Sequence, residues 1–410
     1  WGLFDRLCRR MASMLGPVPF WELRPKHGPG VVADGMVIKH ENARWPRKLN
    51  MVFPIDWFGS HDLQDRSISD AEPASRMVAV PKTQKGPRLI AAEPAAHQWI
   101  QGGLQRWFED RVRSTFLGRS IDFRRQDLSQ SAAMAASHHG QSATVDLSAA
   151  SDRLSTRLVE YVFQGNHSLL DALHACRTRS LVIPADLNPE GCDRLLVLRK
   201  FAPMGSACTF PVQTIVFTML CHFAVMTARS IRDLSPEGLK ARAKEIRVFG
   251  DDIIIPSDSV GALVELLTEL GLKVNVGKSF VKGAFREACG MDAYCGVDVT
   301  PAYVRKFYKP SNPEALASIV ECSNNFHRKG LWRTAEALLK AVDPSERRAL
   351  LVNEQALGPL SVFTFVKGLP NASKRWCKYL HKWLYRGLVV ETKLLTQQGS
   401  GEACLHQYFT

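Results

Sequence analysis

Hydrophobic and polar positions along this chain change their spacing three times, and each change predicts a different kind of structure. Up to about residue 75 no period is sustained. Pro, Gly, Trp and Arg dominate there, as in Pro17-Val18-Pro19, Pro25 to Pro29 and Trp45-Pro46-Arg47, which predicts an irregular, extended wrapping layer. From Ala95 to Leu117 the apolar residues Trp99, Ile100, Leu104, Trp107, Phe108 and Val112 fall at helical spacing with charged residues between them, so a packed helix is expected. Beyond about Pro310 the segments 313 to 323, 331 to 341 and 371 to 388 read as basic helices.

Between these lies a mixed region. Ala143-Thr144-Val145 is a short apolar strand running into Asp146-Leu147-Ser148. A helical stretch carrying Leu154, Leu158, Tyr161 and Val162 follows, with Ser148, Ser151 and Asp152 as candidate N-caps. Ser180 to Pro184 and Leu195 to Phe201 read as two strands joined by the turn-rich Asn188-Pro189-Glu190-Gly191. Met204-Gly205-Ser206 then opens the longest apolar run, Phe210 to Met226. Gln213, Thr214, Thr218 and His222 interrupt it, and it falls short of the ~20 residues a bilayer crossing needs, so a buried helix is expected. Ile246 to Phe249 and Ile253 to Ile255 flank Gly250-Asp251-Asp252 as a tight hairpin with an acidic tip. Val260 to Leu270 reads as a helix and Leu272 to Val276 as a strand. The sum is α+β, without internal repeats or low-complexity tracts.

Composition adds a charge argument. The 410 residues carry 53 Lys+Arg against 40 Asp+Glu, a net charge of +13, with 45% hydrophobic residues. This excludes disorder and favours a polyanionic partner, because each neutralised phosphate releases counterions. Ten cysteines are too few for a disulfide scaffold, and no CxxC pair occurs. Cys289 and Cys295 are separated by five residues, outside the usual zinc-knuckle gap, so reduced thiols in a cytosolic compartment are expected. The N-terminus lacks a signal peptide's order, and a chain beginning at Trp1 rather than Met is expected to be a fragment of a longer protein.

Candidate chemistry sits at strand ends. Val145-Asp146 places a carboxylate where one apolar strand stops, and Asp251-Asp252 places two more in a turn between two others. Alone, Asp146 reads as a helix cap and Gly-Asp as an ordinary hairpin turn. Together they would make a cluster of hard oxygen donors that repels itself unless divalent cations bind, which suits two Mg²⁺ ions, or Mn²⁺. Val80-Pro81-Lys82-Thr83-Gln84-Lys85-Gly86-Pro87-Arg88 spaces three cations through a loop that Pro and Gly keep from becoming a helix, where charge can be offered to a triphosphate or a template backbone. Lys374 to Arg386 interleaves cations with aromatics. Stacking on nucleic acid and an amphipathic helix bearing Trp376, Leu380, Trp383 and Leu384 on one face are the two readings there.

In order and spacing these segments resemble the motif series of RNA-directed RNA polymerases, most closely the replicases of positive-strand RNA bacteriophages, the leviviruses. Val80 to Pro94 resembles their basic motif F, and Ala143 to Asp152 their motif A. Met204 to Phe210 resembles motif B, Val248 to Ile255 motif C and Val274 to Phe280 motif D. Phe285 to Gly290 with Gly296 to Pro301 is similar to the segment after motif D.

The resemblance covers about residues 78 to 306 and implies a right-hand fold. Residues 1–140 would be fingers with the basic loop, 141–165 palm, 166–203 a fingers insertion, 204–305 palm and 306–410 thumb. It further implies that Asp146, Asp251 and Asp252 ligate two metal ions and that Asp152 lies near the incoming ribose. Lys82, Lys85 and Arg88 would hold the triphosphate. Gly205 and Ser206 would form a pliant loop, Thr209 would face the ribose, and Lys278 would give a proton to pyrophosphate. Gln213 stands where many such polymerases carry Asn, and the six-residue step from Asp146 to Asp152 is one longer than in picornavirus-type enzymes.

The implied reaction is templated RNA synthesis from ribonucleoside triphosphates on single-stranded RNA. The implied partners are host elongation factors Tu and Ts and a ribosomal protein, without a membrane, in the cytoplasm of an infected bacterium. Two rivals remain at this level, a reverse transcriptase and a catalytically inactive RNA-binding palm. Phe249-Gly250 before the acids favours RNA synthesis over the first, and the presence of all three carboxylates disfavours the second.

Overall fold

A computed structural model describes residues 1–386 except 29, 35–43, 60–67, 84–85, 189, 191–193, 305, 349, 353–359 and 366–372; of residues 82 and 83 it describes the backbone only. The chain divides into two compact units, Trp1–Val299 and a second beginning at Thr300.

In the first unit a four-stranded antiparallel sheet holds the site. Its order is Arg247–Phe249, Asp252–Pro256, Ser142–Ser148, Lys273–Val274. Ala143, Val145, Leu147, Ile253 and Ile255 are each no more than 3% exposed, so both central strands are anchored in the main core. Burying each such side chain contributes about 1.5–3 kcal/mol, which fixes the register of the strand ends.

Behind the sheet runs the apolar helix Thr209–Ala228. It has 20 residues, three more than the apolar run itself, and is apolar enough to cross a bilayer, yet 89% of its most apolar window is buried within the fold. Its polar positions are accommodated inside. Thr214 Oγ1 donates to the Phe210 carbonyl and Thr218 Oγ1 to that of Thr214, each at 2.7 Å.

Helix Ala95–Ser114 buries Trp99, Ile100, Leu104, Trp107, Phe108 and Val112, as the spacing predicts. The first 75 residues are less irregular than expected. Gly2–Leu15 is a helix burying Phe4, Leu7, Cys8, Met11, Ala12 and Leu15, a 3–4-residue spacing that the Pro- and Gly-rich stretch after it obscures. The expected caps also differ: Ala149, with φ 51°, precedes the short helix Ala150–Arg153. Ser155, rather than Ser148, Ser151 or Asp152, caps Thr156–Phe163 by accepting from the Leu158 N–H at 3.2 Å.

The basic segment is not a loop. Ser75–Thr83 and Gly86–Ala92 are paired antiparallel strands, and Ser75–Thr83 also pairs in parallel with Ser180–Val182, which pairs with Leu195–Val197. Pro and Gly exclude helix as argued, and strand satisfies that exclusion as well as loop does. The two strands expected at 180–184 and 195–201 are present but shorter. The described cysteines are free thiols.

In the second unit, helices Pro313–Arg328 and Trp332–Lys340 form where expected. Asn312 caps the first by accepting from the Ala315 N–H at 3.0 Å, with Pro313 in the first turn. Leu316, Ile319, Val320, Leu339, Val342, Leu350, Leu360 and Val362 make their core. The third expected helix is absent: Lys374–Cys377 and Lys382–Tyr385 are antiparallel strands of a hairpin. Its Trp, Tyr and Cys positions favour strand, and alternation every second residue competes there with the helical period.

Candidate active site

The central strands put two carboxylates face to face. Their pairing runs Ala143↔Ile255, Val145↔Ile253 and Asp146↔Asp252, so the acids at 146 and 252 are direct cross-strand neighbours. Asp251 sits beside them in the turn, where Gly250 has φ +66°. A Cβ at 250 would stand 3.0 Å from the Phe210 ring, and the Gly250 N–H donates to Thr214 Oγ1 at 3.1 Å. The turn is therefore tied to the apolar helix in a conformation that favours glycine.

All three carboxylates line one cleft of about 730 Å³. Asp252 is half-buried, and burial first, then the charge of Asp251, pushes its pKa up to about 6. The Cys289 backbone N–H opposes this by donating to Asp252 Oδ2 at 3.2 Å. Burial also raises Asp146, with Asp251 adding to it. Asn275 acts against the shift, its Nδ2 donating to Asp146 Oδ2 at 2.7 Å. The backbone of Asp146 is held too, its N–H donating to Ser279 Oγ at 3.1 Å and its carbonyl accepting from the Asn275 N–H at 2.8 Å. Carboxylates raised by burial and by one another mark uncompensated negative potential, which a cation relieves.

Hard oxygen donors on two strands fit divalent ions such as Mg²⁺. Among the described residues, however, no group of three or more His, Cys, Asp or Glu side chains is closed into a ligand set. One oxygen of Asp146 and one of Asp252 are instead taken by Asn275 and Cys289, so the three acids converge on the cleft without forming a cage.

Opposing charge stands nearby. Lys278 lines the cleft, and Glu287 first, then Asp146 and Asp252, holds its pKa above the usual lysine value. Its Nζ lies 3.3 Å from Glu287 Oε1. Arg88 reaches the cleft from the exposed face of strand Gly86–Ala92. Lys82 lies in the partner strand, its side chain outside what is described, and Lys85 lies outside the described residues.

Gly205, Ser206, Thr209 and Gln213 complete the wall. Gly205 has φ +122°, and a Cβ there would fall 1.9 Å from the Ala91 carbonyl oxygen. The neighbouring Ala91 N–H donates to the Met204 carbonyl at 2.7 Å, which stitches this turn to the basic hairpin. The Thr209 hydroxyl donates to the Pro203 carbonyl at 2.7 Å, so it is engaged within the protein, and Gln213 is 5% exposed. Asp152 is not among the lining residues and forms an ion pair with Lys200.

Sequence reasoning passed over Asn275, Ser279, Glu287 and Cys289. Asn275 interrupts a predicted strand with a polar amide, and Glu287 faces its cation from another strand. Of the four, only Asn275 carries a local signal.

The sequence profile of the family described as RNA replicase, beta-chain, matches residues 56–335. The chain is 32% identical over 342 residues to the RNA-directed RNA polymerase subunit beta of Escherichia virus Qbeta, covering 80% of this chain and 52% of that relative. It is 32% identical over 228 residues to the RNA-directed RNA polymerase beta chain of Escherichia phage MS2, covering 55% and 37% respectively. It thus spans about half the length of the Qbeta relative and less of the MS2 one. A solved structure of the RNA-dependent RNA polymerase of a human picorbirnavirus aligns with a TM-score of 0.43 at 14% identity, covering 65% of this chain and 55% of that one. Because the family profile extends over well more than half of the residues, among them every strand and turn that lines the cleft, the chain belongs to the RNA replicase beta-chain family.

Proposed function

We propose that this chain is the polymerase portion of an RNA-directed RNA polymerase of an RNA bacteriophage, copying single-stranded RNA from ribonucleoside triphosphates in the cytoplasm of an infected bacterium. One observation carries the reading: the register that sets Asp146 opposite Asp252, with Asp251 in the adjoining turn, all on one cleft that also holds Arg88 and Lys278.

The sheet with the acids corresponds in this reading to the palm of a right hand. Asp146, Asp251 and Asp252 would hold two Mg²⁺ ions, or Mn²⁺. Such ions lower the pKa of the attacking RNA 3′ hydroxyl and offset charge on the leaving pyrophosphate. The 3′ hydroxyl gives up its proton to solvent water as its oxygen bonds to the α-phosphorus, the bond to the α,β-bridging oxygen breaks, and pyrophosphate leaves with the electron pair of that bond.

The chain's own work is mainly positioning and charge stabilisation. Arg88, with Lys82 and Lys85, would bind the triphosphate. Lys278, kept protonated by Glu287 and the two aspartates, is placed to donate its proton to pyrophosphate. Asn275 leaves Asp146 one oxygen for other ligands by occupying the second. The Gly205-Ser206 turn and Gln213 shape the wall that meets the nucleotide, with Thr209 bracing the turn from behind. Asp152 reaches the ribose only by exchanging its partner Lys200, which its half-exposed side chain permits.

Elongation factors Tu and Ts and a ribosomal protein are proposed as partners on the family relation. The decisive experiment is templated extension by the purified chain with Mg²⁺, comparing ribo- with deoxyribonucleotides. Incorporation of ribonucleotides that Asp251→Asn abolishes supports the assignment, and activity retained in that variant refutes it. Preference for deoxyribonucleotides would make the chain a reverse transcriptase.

A further inference from the structure

The hairpin at residues 374–386 contributes no residue to the lining of the cleft, and its composition is one-sided. It carries Lys374, Arg375, Lys378, Lys382 and Arg386 with no Asp or Glu. Its strands pair Lys374↔Tyr385, Trp376↔Trp383 and Cys377↔Lys382, and Arg386 N–H closes the base by donating to the Ser373 carbonyl at 3.0 Å. Side chains two apart share a face of a strand, so Lys374, Trp376, Trp383 and Tyr385 stand together on one face. The two indoles meet edge to face at 5.4 Å, yet they remain 48% and 51% exposed, and Tyr379 in the turn is 82% exposed. Ammonium groups are set over two of these rings: Lys374 Nζ lies 5.1 Å from the Trp383 ring and Lys378 Nζ 5.2 Å from the Tyr379 ring.

Aromatic faces left open to water beside fixed cations form a platform on which unpaired bases stack while their phosphates meet lysine and arginine. We infer that this hairpin is a binding surface for single-stranded RNA, built from residues other than those that line the cleft. Charge complementarity selects a polyanion. The rings select unpaired bases over duplex, whose bases are already stacked. A membrane surface is disfavoured because the turn, Lys378-Tyr379-Leu380-His381, offers a single aliphatic side chain. The inference goes beyond the function proposed for the cleft and does not rest on it.

The test uses the full chain without nucleotides and an oligouridylate of about 15 nucleotides carrying 4-thiouridine. Crosslinks are expected in the peptide spanning 374–386. Trp376→Ala with Trp383→Ala should weaken binding about tenfold or more, and Tyr379→Ala, a turn residue whose loss cannot unfold the chain, should weaken it several-fold. Lys374→Gln with Lys378→Gln should lower the slope of log K against log salt by about 1.4, two phosphate contacts at about 0.7 each.

Crosslinks confined to other segments, with unchanged affinity in both aromatic variants, would overturn the inference. So would an equal loss toward duplex RNA of the same length. Phosphatidylserine vesicles that bind through the two Trp while RNA binding ignores them would overturn it in favour of a membrane surface. Because binding is read without nucleotides, a chain that binds here but fails to extend refutes the cleft assignment alone.

Discussion

The acidic sheet end of the first unit and the basic hairpin of the second use charge in opposite ways. At the sheet, two of the three carboxylates are partly buried, opposed in register and each held by a directed hydrogen bond, so every charge acts strongly on its neighbours. On the hairpin the cations are solvent-exposed, the hairpin itself holds no acid, and Lys374 and Lys378 lie against aromatic rings. Low local dielectric magnifies interactions at the first site, and water screens them at the second. The first arrangement suits chemistry on one bound group, and the second suits many weak, salt-dependent contacts along a strand.

The sharpest way to break that contrast is Asp251→Asn. It leaves an exposed turn residue nearly isosteric, so RNA binding and thermal stability should hold while the extension rate falls by about a thousandfold, read by product gels against filter binding. If binding collapses with activity, the acidic end is not a dedicated chemical site.

Next in size is Gly205→Ala, which must place a Cβ 1.9 Å from the Ala91 carbonyl oxygen at φ +122°. Equilibrium urea unfolding should show a loss of about 3 kcal/mol. The hairpin holds no glycine, and alanine at Tyr379 should shift the same transition by less than about 0.5 kcal/mol.

Asn275→Ala removes the neighbour that orients Asp146. The extension rate should fall about tenfold to a hundredfold and the Mg²⁺ concentration giving half-maximal rate should rise, while affinity for RNA stays the same. An effect on RNA affinity alone would mean that Asn275 contacts template rather than positioning the acid.

The smallest effect per unit is a pH dependence from the scaffold behind the sheet. His97 and His222 are fully buried without hydrogen-bond partners, and burial lowers each from 6.5 to about 3, with Lys48 and Arg242 respectively adding to it. The native state keeps them neutral while the unfolded chain protonates them below 6.5. Their contribution to stability is therefore complete above that pH and is lost as pH falls from 6.5 toward 3, by up to about 1.4 kcal/mol per pH unit for each ring. Replacing His222 with Leu should flatten part of that slope in unfolding titrations between pH 4 and pH 7 (about one half of it, since two rings contribute).

Much of the site could be read from local pattern. The apolar runs ending at Asp146 and flanking Asp251-Asp252 announced strands whose acids had to sit at an edge, and those strands formed there. The spacing of Trp99 to Val112 and the polar breaks in Phe210 to Met226 pointed to helices in the core. Failures came where two periods compete or punctuation distracts. Helical spacing at 371–388 yielded to a β-hairpin, and the helix Gly2–Leu15 was hidden by the Pro and Gly that follow it.

By itself, then, the order of residues determined the strands of the acidic sheet, where its carboxylates fall along them, and the excess of positive charge. These depend on side-chain chemistry and on spacings of two to four residues. Only the tertiary structure decided that Asp146 opposes Asp252, that Asn275 and Cys289 hold the two acids, that Lys278 is shared with Glu287 and that Asp152 pairs with Lys200. Such contacts join residues from 9 to 129 positions apart. They are set by strand register, core packing and the direction of individual side chains, and no local period encodes those.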